Sequence, residues 1–117
     1  MTASLYPADF YQNRRAHTAY AARQVLAALP AALPRTSVTD IGCGTGTWLA
    51  AALAAGADTA MGLEGDWVTP DMLDDPRIAF TAHNLEQGFA APRVDLAISL
   101  EVAEHLSPGR APGFIAD

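Results

Sequence analysis

Ser37-Val38-Thr39-Asp40-Ile41-Gly42-Cys43-Gly44-Thr45-Gly46-Thr47-Trp48 is the stretch that decides the fold. A short strand meets an acid near its end, then passes through three alternating glycines into a helix. A tight turn of this kind excludes a Cβ at its bend, and bare glycine backbone lets a ligand come close. The helix that follows offers unpaired N–H groups and the positive end of its dipole to whatever sits in the turn. The stretch therefore reads as a nucleotide or nucleoside site at the carboxyl end of a parallel strand. A tight strand-to-helix turn with no ligand is the plain alternative.

Spacing narrows the ligand. A dinucleotide fold asks for G-x-G-x-x-G, and the place of its third glycine is taken by Thr47. A Walker loop asks for G-x-x-x-x-G-K-[ST], and the glycine turn holds no lysine. The pattern Asp40-x-Gly42-x-Gly44-x-Gly46 instead resembles the first motif of class I S-adenosylmethionine-dependent methyltransferases.

The rest of the chain reads as alternating strands and helices. A helix is expected over about 9–29, with Tyr20, Val25, Leu26 and Leu29 as its apolar positions and Pro30 and Pro34 ending it. Strands follow at Ser37 to Ile41, Ala60 to Glu64, Ile78 to Ala82 and Val94 to Leu100. The last is almost continuously apolar, as a parallel strand covered on both faces should be. A crossover helix spans Thr47 to Ala55 with Gly56 as its C-terminal glycine, and Thr69-Pro70 opens a short helical piece near Met72 and Leu73. A further helix is expected from Val102 to Leu106, and another begins at Phe114-Ile115. Such alternation implies a Rossmann-like α/β fold, a parallel sheet with helices on both faces. Ligands of these sheets bind beyond the carboxyl ends of the strands.

Length and composition agree with one domain over 1–117, made of a cap helix and an α/β core from about residue 36. Half the residues are hydrophobic and the net charge is −6, so a core is easily built and a basic nucleic-acid footprint is lacking. Arg14, Arg15 and Arg23 read as a solvated helix face. Cys43 is the single cysteine, which excludes an internal disulfide and a cysteine metal site; a cytoplasmic setting fits, and no metal is expected. The N-terminus lacks the apolar region of a signal peptide, and no run has the length of a membrane span.

The resemblance carries further implications, residue by residue. Glu64 ends the second strand, eighteen residues after Gly46, where the family binds the ribose of S-adenosylmethionine; Gly65 follows it. Asp40 would help hold the ammonium of the methionine end, and Gly42, Cys43, Gly44 and Gly46 would line the turn. A carboxylate at 40 that only accepts backbone N–H bonds in the turn is the other reading. Asn84, followed by Leu85, stands where the family usually has an aspartate contacting the adenine amine; its carbonyl can accept the same bond as a neutral group. Trp67 would pack either on the adenine or in the core, and Trp48 beside the turn.

Val94 to Leu106 resembles the family's fourth motif, a strand ending in S-L-E-V-x-E-H-L. Ser99 and Leu100 would face the methionine part of the cofactor, and Glu101, Glu104 and His105 the acceptor's mouth. His105 is the candidate general base of that segment, with loop ordering as its alternative. The N-terminal segment from Tyr6 to Tyr11 and its helix resemble the family's lid, with Tyr11, His17 and Tyr20 towards the pocket.

The family sheet has seven strands in the order 3-2-1-4-5-7-6, of which this chain supplies the first four. The expectation is thus the cofactor-binding portion of a methyltransferase, truncated relative to the family and acting on a small-molecule acceptor. A non-catalytic S-adenosylmethionine-binding module is the alternative, and a nicotinamide-dependent oxidoreductase the third. The fourth strand, without lysine, proline or a bulge to blunt its edge, is expected to pair with another copy.

Overall fold

The computed structural model describes residues 8–100, 109–110 and 112–113. Their elements are α1 (Ala8–Ala28), β1 (Ser37–Ile41), α2 (Thr47–Ala54), β2 (Thr59–Glu64), a 3-10 turn at Pro70–Met72, β3 (Ala79–Ala82) and β4 (Leu96–Ile98). The four strands form one sheet in the order β3-β2-β1-β4. Every pairing is parallel: Asp40 stands opposite Gly62 on one side and Ile98 on the other, and Glu64 stands opposite Ala82.

β1 is central and reads as such. Val38, Thr39 and Asp40 are successive residues pointing to alternate faces, and all three are buried. α2 lies against β1 and β2, and α1 packs on α2. Its alanines let this three-layer contact close tightly: Ala51, Ala52 and Leu53 of α2 join Ala22 and Leu26 of α1 and Val38 of β1 in one apolar cluster.

Two expectations about packing are corrected. On α1 the buried stripe is Ala22 and Leu26, with Leu29 partly buried, whereas Tyr20 is 60% and Val25 48% exposed. Residues 22, 26 and 29 follow the i, i+4, i+7 helical face, and residues 20 and 25 fall off it. β4 is also shorter than expected. The Asp95 carboxylate, instead of continuing the ladder, accepts from the backbone N–H and hydroxyl of Thr36 at 2.9 and 2.5 Å, and its own N–H donates to the Ser37 hydroxyl. These bonds hold the Asp95 carboxyl below its ordinary range and clamp the foot of β4 to the start of β1.

The helix ends are satisfied by different means. After α2, Gly56 adopts a left-handed conformation (φ 108°). Its N–H bonds to the Leu53 carbonyl, and the Ala57 N–H to that of Ala52, at 3.1 and 3.0 Å, the paired pattern of a glycine stop. At the end of α1 the Arg35 guanidinium donates to the carbonyls of Leu26 and Pro30, a cap that lies beyond the prolines and that periodicity does not reveal.

Candidate ligand site at the carboxyl ends of the strands

The glycine turn is built as its sequence demands. Gly42, Gly44 and Gly46 all have positive φ, at 80°, 57° and 84°, a region that residues with a Cβ enter at a cost of about 1–2 kcal/mol. The N–H groups of Gly42 and Cys43 both donate to the Leu63 carbonyl, at 2.8 and 3.1 Å, carrying the β1–β2 ladder one step into the turn. Gly46 then starts α2 without a side-chain cap. A Cβ on Gly44 would meet nothing within 4 Å, so the turn faces open space at its middle.

The turn also depends on a glycine outside it. A Cβ on Gly62, in the middle of β2, would lie 2.6 Å from Cys43 Sγ and 3.1 Å from Leu49 Cδ1. The Cys43 side chain therefore turns inward over β2. Burial, then the nearby carboxyls of Asp40 and Glu64, push its thiol up to about 12, which leaves it protonated and inert. Cys43 meets the turn through its backbone.

Glu64 closes the arrangement. One carboxylate oxygen accepts the Gly44 N–H at 3.0 Å and the other the Gly65 N–H at 2.9 Å. The end of β2 thus reaches across to the turn after β1, leaving further lone pairs on both oxygens. Asp40 sits beside it, only 4% exposed. Among the described residues no donor is bonded to its carboxylate, so the reading in which it serves only the turn's backbone N–H groups is not what the structure has. Burial, reinforced by the charge of Glu64, pushes its carboxyl up to about 7. An opposite charge brought beside such an acid would favour its ionised form.

A cleft of about 520 Å³ opens next to this pair. Its walls are Glu64, Gly65 and Asp66 after β2, and Ala82, His83, Asn84, Leu85 and Glu86 after β3. The His83 N–H donates to the Glu64 carbonyl at 2.8 Å, extending the β2–β3 ladder to the cleft. Asn84 shapes the following turn: its side-chain oxygen accepts the Glu86 N–H and its carbonyl the Gln87 N–H, both at 3.0 Å. This is the turn that Asx side chains form with their own backbone. Leu85 is buried beneath it.

The chain therefore brings Asp40, the glycine turn, Glu64, Gly65, Asn84 and Leu85 to the carboxyl ends of three adjacent strands. Trp67 stands apart from the cleft wall. It is 47% exposed, and its indole rests on Gly65, where a Cβ would come within 2.9 Å of the ring. Trp48 is partly buried against the core cluster. Ser99 and Leu100 are exposed just past β4, beside the end of β1. Glu101, Glu104 and His105, the helix expected at Val102 to Leu106, Phe114-Ile115, the segment before α1 and the Tyr11 side chain lie outside the described residues. Asp66, His83 and Glu86 also line the cleft; His83 reads from sequence as structural or exposed, and the signal for all three is their position just past β2 and β3.

A latch ties α1 to the turn. Asp74 accepts from the Thr47 hydroxyl at 2.7 Å and pairs with Arg15 of α1, while its N–H donates to the Thr45 carbonyl at 2.8 Å. An acid at this place also favours the positive end of α2. Among the described residues no cluster of three or more His, Cys, Asp or Glu side chains could hold a metal ion, and no helix is long and apolar enough to cross a membrane.

This sheet order and glycine turn define a Rossmann-like α/β fold, a parallel sheet whose first strand runs through a glycine turn into a helix. A solved structure with this fold is S-adenosylmethionine-bound CalS10, an amino pentose methyltransferase from Micromonospora echinaspora involved in calicheamicin biosynthesis. The likeness has a TM-score of 0.57 at 23% identity and covers 99% of this chain and 52% of that one. The present chain thus spans about half the length of the protein it matches. No protein-family model matches the sequence, and no curated protein matches it.

Proposed function

We propose that the chain binds S-adenosylmethionine at the carboxyl ends of β1, β2 and β3 and serves methyl transfer to a small-molecule acceptor. The observation that carries this reading is the pair Asp40 and Glu64. Asp40 is a buried carboxyl with no donor bonded to it among the described residues, its pKa raised to about 7, next to a second acid at the glycine turn. That pair suits a ligand with a cationic amine at one end and a hydroxyl-bearing ring at the other. Asp40 would meet the ammonium, and the remaining lone pairs of Glu64 the ribose diol. The open space before Gly44 gives room for the ligand's backbone-hugging part, and the cleft beyond Glu64 has the volume of a nucleoside-sized site.

The same geometry disfavours a dinucleotide. A pyrophosphate needs the free N–H groups of the turn, and here the Gly44 N–H is taken by Glu64. Three acids among the cleft walls, Glu64, Asp66 and Glu86, would repel it further.

When bound, the cofactor supplies a methyl group on a sulfonium, open to displacement by a nucleophile. This chain's residues would bind and orient it: Asp40 fixes the amino end, Glu64 the sugar, and the Asn84 turn the base. Such alignment and the exclusion of water are the main contributions such a site makes. Calorimetric titration with S-adenosylhomocysteine and with NAD tests the reading. Tighter binding of S-adenosylhomocysteine is expected, and tighter binding of NAD would overturn it.

A further inference from the structure

The loop from His83 to Phe89 forms one wall of the cleft, and its shape is not held by its own turn alone. Arg110, far along the chain, grips it from outside. Its Nε donates to the Leu85 carbonyl and its Nη2 to the Gln87 carbonyl, both at 2.9 Å. The guanidinium carbon also lies 5.7 Å from the centre of the Phe89 ring, within the reach of a cation–π contact. Phe89 in turn meets the His83 ring edge to face, with centroids 5.8 Å apart and planes at 73°.

This chain of contacts runs from Arg110 to the cleft wall. His83 lines the cleft, yet its Nε2 is buried without a hydrogen-bond partner among the described residues. The ring is thus seated by its packing on Phe89, not anchored by a bond of its own at that nitrogen. Two carbonyls of the loop, on either side of Glu86, converge on one planar cation. Arginine suits that task because its donors are fixed in a fork. The guanidinium has room because residue 113 is glycine: a Cβ there would lie 2.8 Å from Nη1.

We propose that Arg110 is a positioning residue for the ligand, holding the 83–89 loop in the shape that receives the base. The proposal rests on the cofactor reading above, since it assigns the base to the Asn84 turn. Arg110 touches no ligand in this account. It sets where the Asn84 side chain and the backbone of Leu85 stand.

The test has two arms. In the ligand-free protein, amide exchange at Glu86 and Gln87 is measured in the wild type and in Arg110→Ala, Arg110→Lys and Gly113→Val. Exchange should quicken in Arg110→Ala and in Gly113→Val, which displaces the guanidinium, while protection along β1 and β2 stays unchanged; Arg110→Lys should fall between. In the second arm, S-adenosylhomocysteine and S-inosylhomocysteine are titrated by calorimetry. Arg110→Ala should bind S-adenosylhomocysteine about tenfold more weakly, the effect of losing one or two charged hydrogen bonds. It should also lose part of the preference for adenine over hypoxanthine, which a general loss of stability would leave intact. Wild-type exchange at Glu86 and Gln87, or wild-type affinity and preference in Arg110→Ala, would overturn the proposal. Failure of the wild-type chain to bind S-adenosylhomocysteine would instead overturn the cofactor reading and the ligand role with it, and the exchange arm would still decide whether Arg110 anchors the loop.

Discussion

Replacing Asp40 by asparagine should make the ligand-free protein more stable and the site worse. The native carboxyl has been pushed from its ordinary 3.8 to about 7 by burial and by Glu64. Between those values the native state keeps a proton that the unfolded state has released. Stability contributed at this position therefore falls as pH rises from about 4 to about 7, and the full penalty remains above that. The rise spans about three pH units, each worth about 1.36 kcal/mol, so the upper bound is about 4 kcal/mol. An asparagine of nearly the same shape removes the charge but still buries an amide without a bonded donor, which returns about 1–2 kcal/mol of the gain. A net stabilisation of about 2–3 kcal/mol at pH 8, shrinking to about nothing near pH 4.5, is expected. Urea unfolding of both proteins from pH 4.5 to 8 measures it, with other titrating groups cancelling in the difference. The complementary readout is proton release. A cationic amine arriving at Asp40 should lower its pKa, so S-adenosylhomocysteine binding at pH 6 should expel up to about one proton, seen as a buffer-dependent heat. Asp40→Asn should abolish that release and weaken binding. A stability difference that does not change with pH would refute the argument from the buried acid. Equal proton release in both proteins would refute the placement of the amine.

Glu64→Ala should weaken S-adenosylhomocysteine binding by about 1.5–3 kcal/mol, the range for a charged acceptor, and by removing its charge should also lower the Asp40 pKa; calorimetry at pH 6 and pH 8 reads both, and unchanged affinity would count against the ribose contact. Gly62→Ala should destabilise the fold by about 1–3 kcal/mol through the clash with Cys43 and Leu49, and by less in a Cys43→Ala background, as a double-mutant cycle of urea midpoints would reveal; additive effects would mean that the two do not share the space. β4 presents an unpaired edge among the described residues, so self-association through it is expected by sedimentation at low micromolar concentration, and a strict monomer with rapid amide exchange along Leu96 to Ile98 would exclude this pairing.

Much of the frame was legible in the sequence because it is written in local constraints. Gly42, Gly44 and Gly46 are needed at positive φ, a property of single residues that no distant contact supplies. Gly56 marks the end of α2 for the same reason. Strand and helix alternation follows from side-chain periodicity, and the rule that ligands sit beyond parallel strand ends places Asp40, Glu64 and Asn84 on one side of the sheet.

Other features needed the assembled fold. The face of α1 that is buried depends on which alanines lie opposite it on α2, so Tyr20 and Val25 carried no local sign of their exposure. Gly62 looks like an ordinary strand glycine until Cys43 and Leu49 are found against it. Asp95 reads as part of β4 until Thr36 is found bonded to its carboxylate. The chemistry of the site belongs to this second kind. Residue order tells that Asp40 and Glu64 are acids at strand ends. The raised pKa of Asp40 arises only from how deeply the sheet buries it and how near the register of β1 and β2 brings Glu64. Backbone conformation is decided residue by residue, whereas burial, charge coupling and the grip of Arg110 on a loop more than twenty residues away are sums over neighbours that only the tertiary structure assembles.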